Sequence, residues 1–428
     1  MHPFSRYAVL GALALSLPAA AADWSFIHGP KGDGSSPEKI GKTWPATGPK
    51  VLWKVPSEGG FSCLVVSGKV AACLEWRDVD GAKQEVLVAR NADTGKELWV
   101  KPLGPVKFDG GGDSGTPTNS GGDGPRSSPT IDGSHIYVTS GKLVLTSFDA
   151  TTGAVAWQHD LIKEYEGRNI QWQNAAAPLI DGDLVLVAGG GPGKSLLAFK
   201  KSDGQLAWSG FDEKMTHATP TPTSILGKHQ VVFFLQSGLL SVDPKTGTEL
   251  WRYPFKYAVS TAASPVVAGD IVYCSAGYNV GAGACKVSKN GETFSATEIY
   301  RFPGNKPLAN HWSTPVLSNG KLYGLFQFKE YGDGPLKCVD VATGKVEWEK
   351  KGFGPGQVIL VDGHILVLSD AGDLVLVKAT PTEYQEVARA TVLAGKCWGT
   401  PAVSNGRIYA RSTKEAVCLE VPSTQASR

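Results

Sequence analysis

From residue 45 onward the chain is filled by short runs of alternating apolar and polar residues, each closed by Gly, Asp, Asn or Pro. Such a pattern reads as many short strands joined by tight turns. One phrase recurs at residues 148–157 (FDATTGAVAW), 242–251 (VDPKTGTELW) and 339–348 (VDVATGKVEW), with worn copies at 90–99 (RNADTGKELW) and 199–208 (FKKSDGQLAW). In each, an apolar strand ends at an Asp-type turn, Gly supplies a positive φ, and a new strand delivers a Trp. The phrase is a β-hairpin with a large apolar anchor. A second phrase lies upstream, at residues 128–138, 177–187, 264–273, 314–323 and 400–409. It consists of a small residue, Pro, an apolar pair, a Gly turn and a β-branched strand.

Together the phrases give four strands per unit. The anchors Trp53, Trp99, Trp157, Trp208, Trp251, Tyr300 and Trp348 recur every 43–58 residues, which is the spacing of propeller blades. A seventh unit at 356–390 lacks the Trp. The eighth is split: residues 398–420 supply three strands, and VLWKV at 51–55 supplies the fourth. The expectation is an all-β chain forming a single eight-bladed β-propeller of four-stranded antiparallel blades, its ring closed by the N-terminal strand completing the C-terminal blade. Indoles on outer strands can be buried between neighbouring sheets, and pairing the chain ends leaves no open edge. Ala89, Ser147, Ala198, Ser241, Cys338 and Cys418 hold equivalent repeat positions and read as a small-residue packing slot.

Ahead of the propeller, residues 1–22 have the layout of a secretory signal peptide: Arg6, an apolar run over 7–17, Pro18, then alanines that satisfy the small-x-small cleavage rule. The mature start is placed near Asp23, and the expected location is periplasmic or secreted. No segment reaches membrane-spanning length. The chain divides into the leader, an extended N-terminal segment at 23–44, the propeller at 45–421 and a tail at 422–428. With 42 Lys and Arg against 40 Asp and Glu, the net charge of +2 argues against a nucleic-acid partner. The seven Cys are odd in number, and export permits disulfides. Cys63–Cys73 and Cys274–Cys285 are candidate cross-strand pairs, with buried free thiols as the alternative.

The starts of the innermost strands should line the axial mouth. They carry Arg126, Gln171, Trp172, Asn174, His217, His311, Trp312, Gln357 and Trp398, a polar and aromatic rim that is the candidate binding site. AGGGPGKS at 188–195 meets a relaxed phosphate-loop pattern but joins two strands, whereas a phosphate loop opens a helix; it reads as a hairpin turn. The His are singletons without i, i+4 pairs and the Cys lack C-x-x-C spacing, so no metal site is expected. Asp109, Asp113 and Asp123, in the Gly-rich stretch 104–124, lack the spacing of a calcium loop, and that stretch reads as a linker.

The D-x-x-T-G-x-x-x-W hairpin and the S-P-V-V strand resemble the pyrroloquinoline-quinone-like propeller repeat, over residues 45–421. DWSFIHGPKGDGSSPE at 23–38, LVLVKATPTEYQEVARATVL at 374–393 and CWGTPAVSNGRIYAR at 397–411 resemble exported planctomycete and verrucomicrobial members. The resemblance implies the fold; function is open, because one fold hosts many. The superfamily holds quinoprotein dehydrogenases and BamB-like assembly scaffolds. The dehydrogenases hold their quinone near the axis between a Trp and a disulfide of adjacent cysteines, with calcium ligands and an Asp base. This chain has no adjacent Cys pair. The reading is therefore an exported, non-catalytic binding or scaffold propeller that recognises a protein, peptide or glycan at its face, with no catalytic residue, cofactor or metal expected. The alternatives are a quinone- and calcium-dependent alcohol or sugar dehydrogenase with Trp398, Trp312 or Trp172 as stacking floor, and a non-redox sugar or small-molecule binder at the same rim.

Overall fold

The computed structural model describes residues 22–45, 47–106, 124–256, 261–326 and 334–422. Eight sheets form eight blades, each an antiparallel meander. The first blade runs Val65–Ser67, Val70–Val79, Ala82–Asn91 and Glu97–Pro105. The next six begin with the inner strands Thr130–Asp132, Leu179–Asp181, Thr221–Ile225, Val266–Ala268, Val316–Ser318 and Gly356–Val361. In the eighth, Ala402–Ser404, Arg407–Arg411 and Glu415–Glu420 are completed by Lys50–Pro56, which pairs antiparallel with Glu415–Glu420. The ring closes as the repeat pattern predicts.

The two halves of the hairpin phrase prove to be two halves of one contact. Each anchor stands opposite a small residue: Trp99 faces Ala89, Trp157 faces Ser147, Trp208 faces Ala198, Trp251 faces Ser241, Trp348 faces Cys338 and Trp53 faces Cys418. A bulge lies beside each pair, and all but one of these indoles reach the next blade. There the Nε1 donates to a turn carbonyl: Trp53 to Ala92, Trp99 to Ala150, Trp157 to Lys201, Trp208 to Pro244 and Trp348 to Thr380. The turn Gly of that next blade lies under the ring, as Gly95 does under Trp53. Trp251 is the exception, donating to Gln230 within its own blade. The seventh blade reverses the sizes, with Ala388 opposite Leu376.

Two features depart from the repeat. A five-residue helix, Leu161–Tyr165, is capped by Asp160, whose carboxylate accepts from Lys163 N. The seventh blade gains a fifth strand, because Ser35–Ser36 pairs parallel with Leu360 and Val361.

That added strand belongs to a belt. Residues 24–38 run inside the ring along the inner strands and meet every blade. Trp24 O accepts from Val66 N in the first blade and Ser25 O from Ile131 N in the second. Phe26 packs with Leu179 of the third, and Gly32 and Gly34 lie against Pro222 of the fourth and Val316 of the sixth. His28 hydrogen-bonds Ser264 before the fifth blade's inner strand. Glu38 accepts from Asn405 N at 2.7 Å and Gly406 N at 2.8 Å in the eighth. Trp24 is fully buried, in one apolar cluster with Trp53, Val66 and Tyr409.

A buried charged knot ties the eighth blade to the first. Arg411 donates to the carbonyls of Glu58, Ser62 and Leu74. Burial would push the Glu75 carboxyl up, but Arg411, Ser57, Arg90 and Arg77 around it hold it below the usual carboxylate range.

All seven cysteines are buried and free, which corrects both candidate disulfides. Cys274 stands opposite Gly283 and Cys285 opposite Val272, so the two are diagonal across the strands. Cys63 lies before the inner strand, its sulfur accepting from Thr400 N, while Cys73 faces Val88 and points its thiol at Glu75.

Candidate functional site

The starts of the inner strands converge on an axial cavity of about 130 Å³. Arg126, Trp172, His217, His311, Trp312, Gln357 and Trp398 all line it. Asn174 and Gln171 do not. Asn174 is buried in the frame, donating to the carbonyls of Thr139 and Ala176, and Gln171 is exposed.

Six lining residues share one register: Arg126, Ala175, His217, Ala262, Trp312 and Trp398 each stand three positions before a Pro. Ala175 and Ala262 are legible from that register but unremarkable by residue type. Phe61 holds the same place in the first unit, where Leu64 replaces the Pro. Ile27 and His28 of the belt form the floor, and no repeat pattern points to them.

The rings form an arc. Phe61 stacks on Trp398 with centroids 4.5 Å apart, and Trp398 on Trp312 at 4.4 Å. His311 meets Trp312 and Tyr278 edge-on, and Tyr278 lies 11° from parallel with Trp172. Positions are fixed by the frame. Trp398 Nε1 donates to Asp370 at 2.6 Å, and Gln357 Nε2 donates to Trp398 O at 2.9 Å. Arg126 Nη1 donates to Trp172 O at 2.8 Å. Trp172 and Tyr278 both hold left-handed backbones, φ +66 and +54, a strained conformation for aromatic residues that clusters at functional sites.

Burial lowers His28 to about 4, against a smaller opposing effect of Asp33. Burial and the Arg126 charge lower His217 to about 4. Both imidazoles are neutral at pH 7, and Arg126 and His311 also line the cavity.

These residues do not fit a quinone cofactor. The cysteines are free thiols, and no carboxylate lines the cavity among the described residues to ligate calcium or act as base. No group of three or more metal-ligating side chains comes together among the described residues. Asp109, Asp113 and Asp123 lie outside the described residues, as does the leader up to residue 21. The phosphate-loop look-alike joins Leu184–Ala188 to Leu196–Lys200 as a hairpin. No helix among the described residues is long and apolar enough to cross a membrane.

Residues 82–325 match the family described as outer membrane protein assembly factor BamB. The BamB of Moranella endobia is 25% identical over 303 residues, covering 67% of this chain, which spans 58% of that relative's length. Among solved structures, BamB from Moraxella catarrhalis aligns at a TM-score of 0.60 with 16% identity, over 89% of this chain and 99% of that one. A quinohemoprotein alcohol dehydrogenase from Comamonas testosteroni aligns at 0.62 with 13% identity, over 94% and 82%. At these identities the two structural likenesses speak for the propeller fold alone.

Proposed function

Because this chain belongs to the family described as outer membrane protein assembly factor BamB, we propose that it is a non-catalytic scaffold propeller of the cell envelope whose faces hold partner proteins. The observation that carries this reading is the belt. One segment joins all eight blades from inside, so the ring is a stiff platform on which loops can be displayed without rearranging. The axial residues support it further: among the described residues the cavity is lined by no carboxylate and no cysteine pair of the kind quinone chemistry needs. The leader-like residues 1–22 support an exported site of action.

The test is photocrosslinking in the native envelope from a probe at Tyr278, which is 41% exposed at the mouth, alongside dye-linked oxidation assays with pyrroloquinoline quinone and calcium. A discrete crosslinked protein with no dye reduction is the expected result. Stoichiometric quinone retention with dye reduction would overturn the scaffold reading.

A further inference from the structure

We infer that the chain is processed between Ala21 and Ala22, and that the amino terminus so released is the counter-ion of the buried Glu38 carboxylate, clasping the belt into a closed hoop. This rests on the leader reading of the first residues and not on the scaffold reading.

The clasp is built from both ends of the belt. Glu38 is 5% exposed. Its Oε1 accepts from Asn405 N at 2.7 Å and from Ala22 N at 3.0 Å, and its Oε2 accepts from Gly406 N at 2.8 Å. Ala22 and Glu38 are 16 residues apart in the chain. Between them the belt goes round the ring, and its ends meet at the seam of the eighth blade with the first. The start is pinned independently of Glu38: the Asp23 carboxylate accepts from Ser67 Oγ at 2.7 Å and Gly68 N at 3.0 Å, and Trp24 O accepts from Val66 N. The Ala22 nitrogen is therefore presented to the carboxylate by the residues that follow it.

Charge gives this bond its meaning. Among the described residues the partners of the Glu38 carboxylate are these three neutral N–H groups, with no Lys, Arg or His side chain among them. A carboxylate taken out of water without an opposite charge is costly, and amide dipoles offset that cost only in part. Hydrolysis of the Ala21–Ala22 peptide bond supplies the missing charge. The C–N bond breaks; the oxygen of the attacking water stays on the Ala21 carbon as part of a carboxylate, and both its protons end on the Ala22 nitrogen. That nitrogen, 3.0 Å from Glu38 Oε1, becomes an ammonium, which with a pKa of about 7.7–8.0 is charged at pH 7. A charge-assisted hydrogen bond is roughly twice as strong as a neutral one. The sequence permits the cut, because leader peptidases read small residues one and three positions before it. Ala19 and Ala21 meet that rule for a start at Ala22, as Ala20 and Ala22 do for a start at Asp23. Glu38 distinguishes the two, since a start at Asp23 removes the nitrogen it holds. Processing thus tightens the seam of the ring once the leader has done its work.

The experiment has two arms. The full chain is expressed with its leader and the exported protein is sequenced from its amino terminus, which should read Ala22 first. Chains starting at Ala21, Ala22 and Asp23 are then made by tag cleavage and unfolded in urea at pH 7. A start at Ala21 keeps the Ala22 N–H but moves the charge away, and a start at Asp23 removes both. Each should raise the unfolding equilibrium constant about tenfold over the Ala22 start. Glu38→Gln should bring the three chains within about twofold of one another. If that variant fails to fold, hydrogen exchange at the Asn405 and Gly406 amides takes its place and should be slowest in the chain starting at Ala22. An exported chain that starts at any other residue, equal stability or equal exchange of the Ala21 and Ala22 starts, or a difference that survives Glu38→Gln would each overturn the proposal. Retention of residues 1–21 would sink the leader reading with it. The crosslinking result is untouched by any of these outcomes, so the scaffold reading falls separately.

Discussion

Trp157 lays its indole on Gly204 of the following blade so closely that a Cβ there would stand 2.8 Å from the ring, and its Nε1 donates to Lys201 O in the same turn. The glycine therefore answers two demands, a φ of +74 and the presence of the neighbouring indole. Gly182, at φ +58 with nothing within 4 Å, faces only the first. Gly204→Ala should cost about 2–4 kcal/mol and Gly182→Ala about 1 kcal/mol. Urea unfolding of both variants measures the difference, and equal losses would show that the indole contact contributes nothing.

The belt predicts a non-local effect. Trp24→Ala should destabilise the ring by about 3–5 kcal/mol. It should also speed hydrogen exchange at the Val66 and Ile131 amides, which donate to the belt. Exchange confined to the neighbourhood of residue 24 would mean that the belt is decoration.

Stability should depend on pH in a definite direction. Between pH 6.5 and about 4 the unfolded imidazoles of His28 and His217 take up protons that the buried ones refuse. The unfolded state then binds more protons, so their contribution, complete above pH 6.5, is lost as pH falls toward 4, by up to about 3 kcal/mol each. Glu85 opposes them. Burial pushes its carboxyl from 4.5 to about 7, against a weaker effect of the Gly141 amide, so its native state holds the extra proton and its contribution falls as pH rises through that range. Glu85→Gln should therefore steepen the rise of urea midpoints between pH 4.5 and 7.

The thiols give the simplest check. All seven are buried, so a thiol reagent should modify them only after unfolding, and reductant should leave the melting temperature of the intact protein unchanged. Loss of two mass units per disulfide in the purified protein would contradict the free-thiol assignment.

Most of the ring was legible because each repeat writes its own partner: Trp157 and Gly204 occupy fixed places in successive copies of one phrase. The axial residues were half legible. Arg126 and Trp398 stand out by type, whereas Ala175 and Ala262 share their register silently. The belt was not legible. Its glycines answer to Trp24, Pro222 and Val316, three partners on three different elements, so no period in residues 23–44 could reveal them. The disulfides failed for a related reason: neighbouring strands place Cys274 and Cys285 near each other, but register sets them diagonal.

The same closure fixes an order of events. Lys50–Pro56 waits for Glu415–Glu420, and Glu38 waits for Asn405, 367 residues away. Closing so long a loop adds little to its entropic cost, which grows only with the logarithm of length, but contacts this distant slow folding. Until the final stretch of chain emerges, the eighth blade lacks three of its strands and the belt lacks its last seat. A chain delivered from its N-terminus stays an open row of hairpins during delivery and becomes a ring only on arrival.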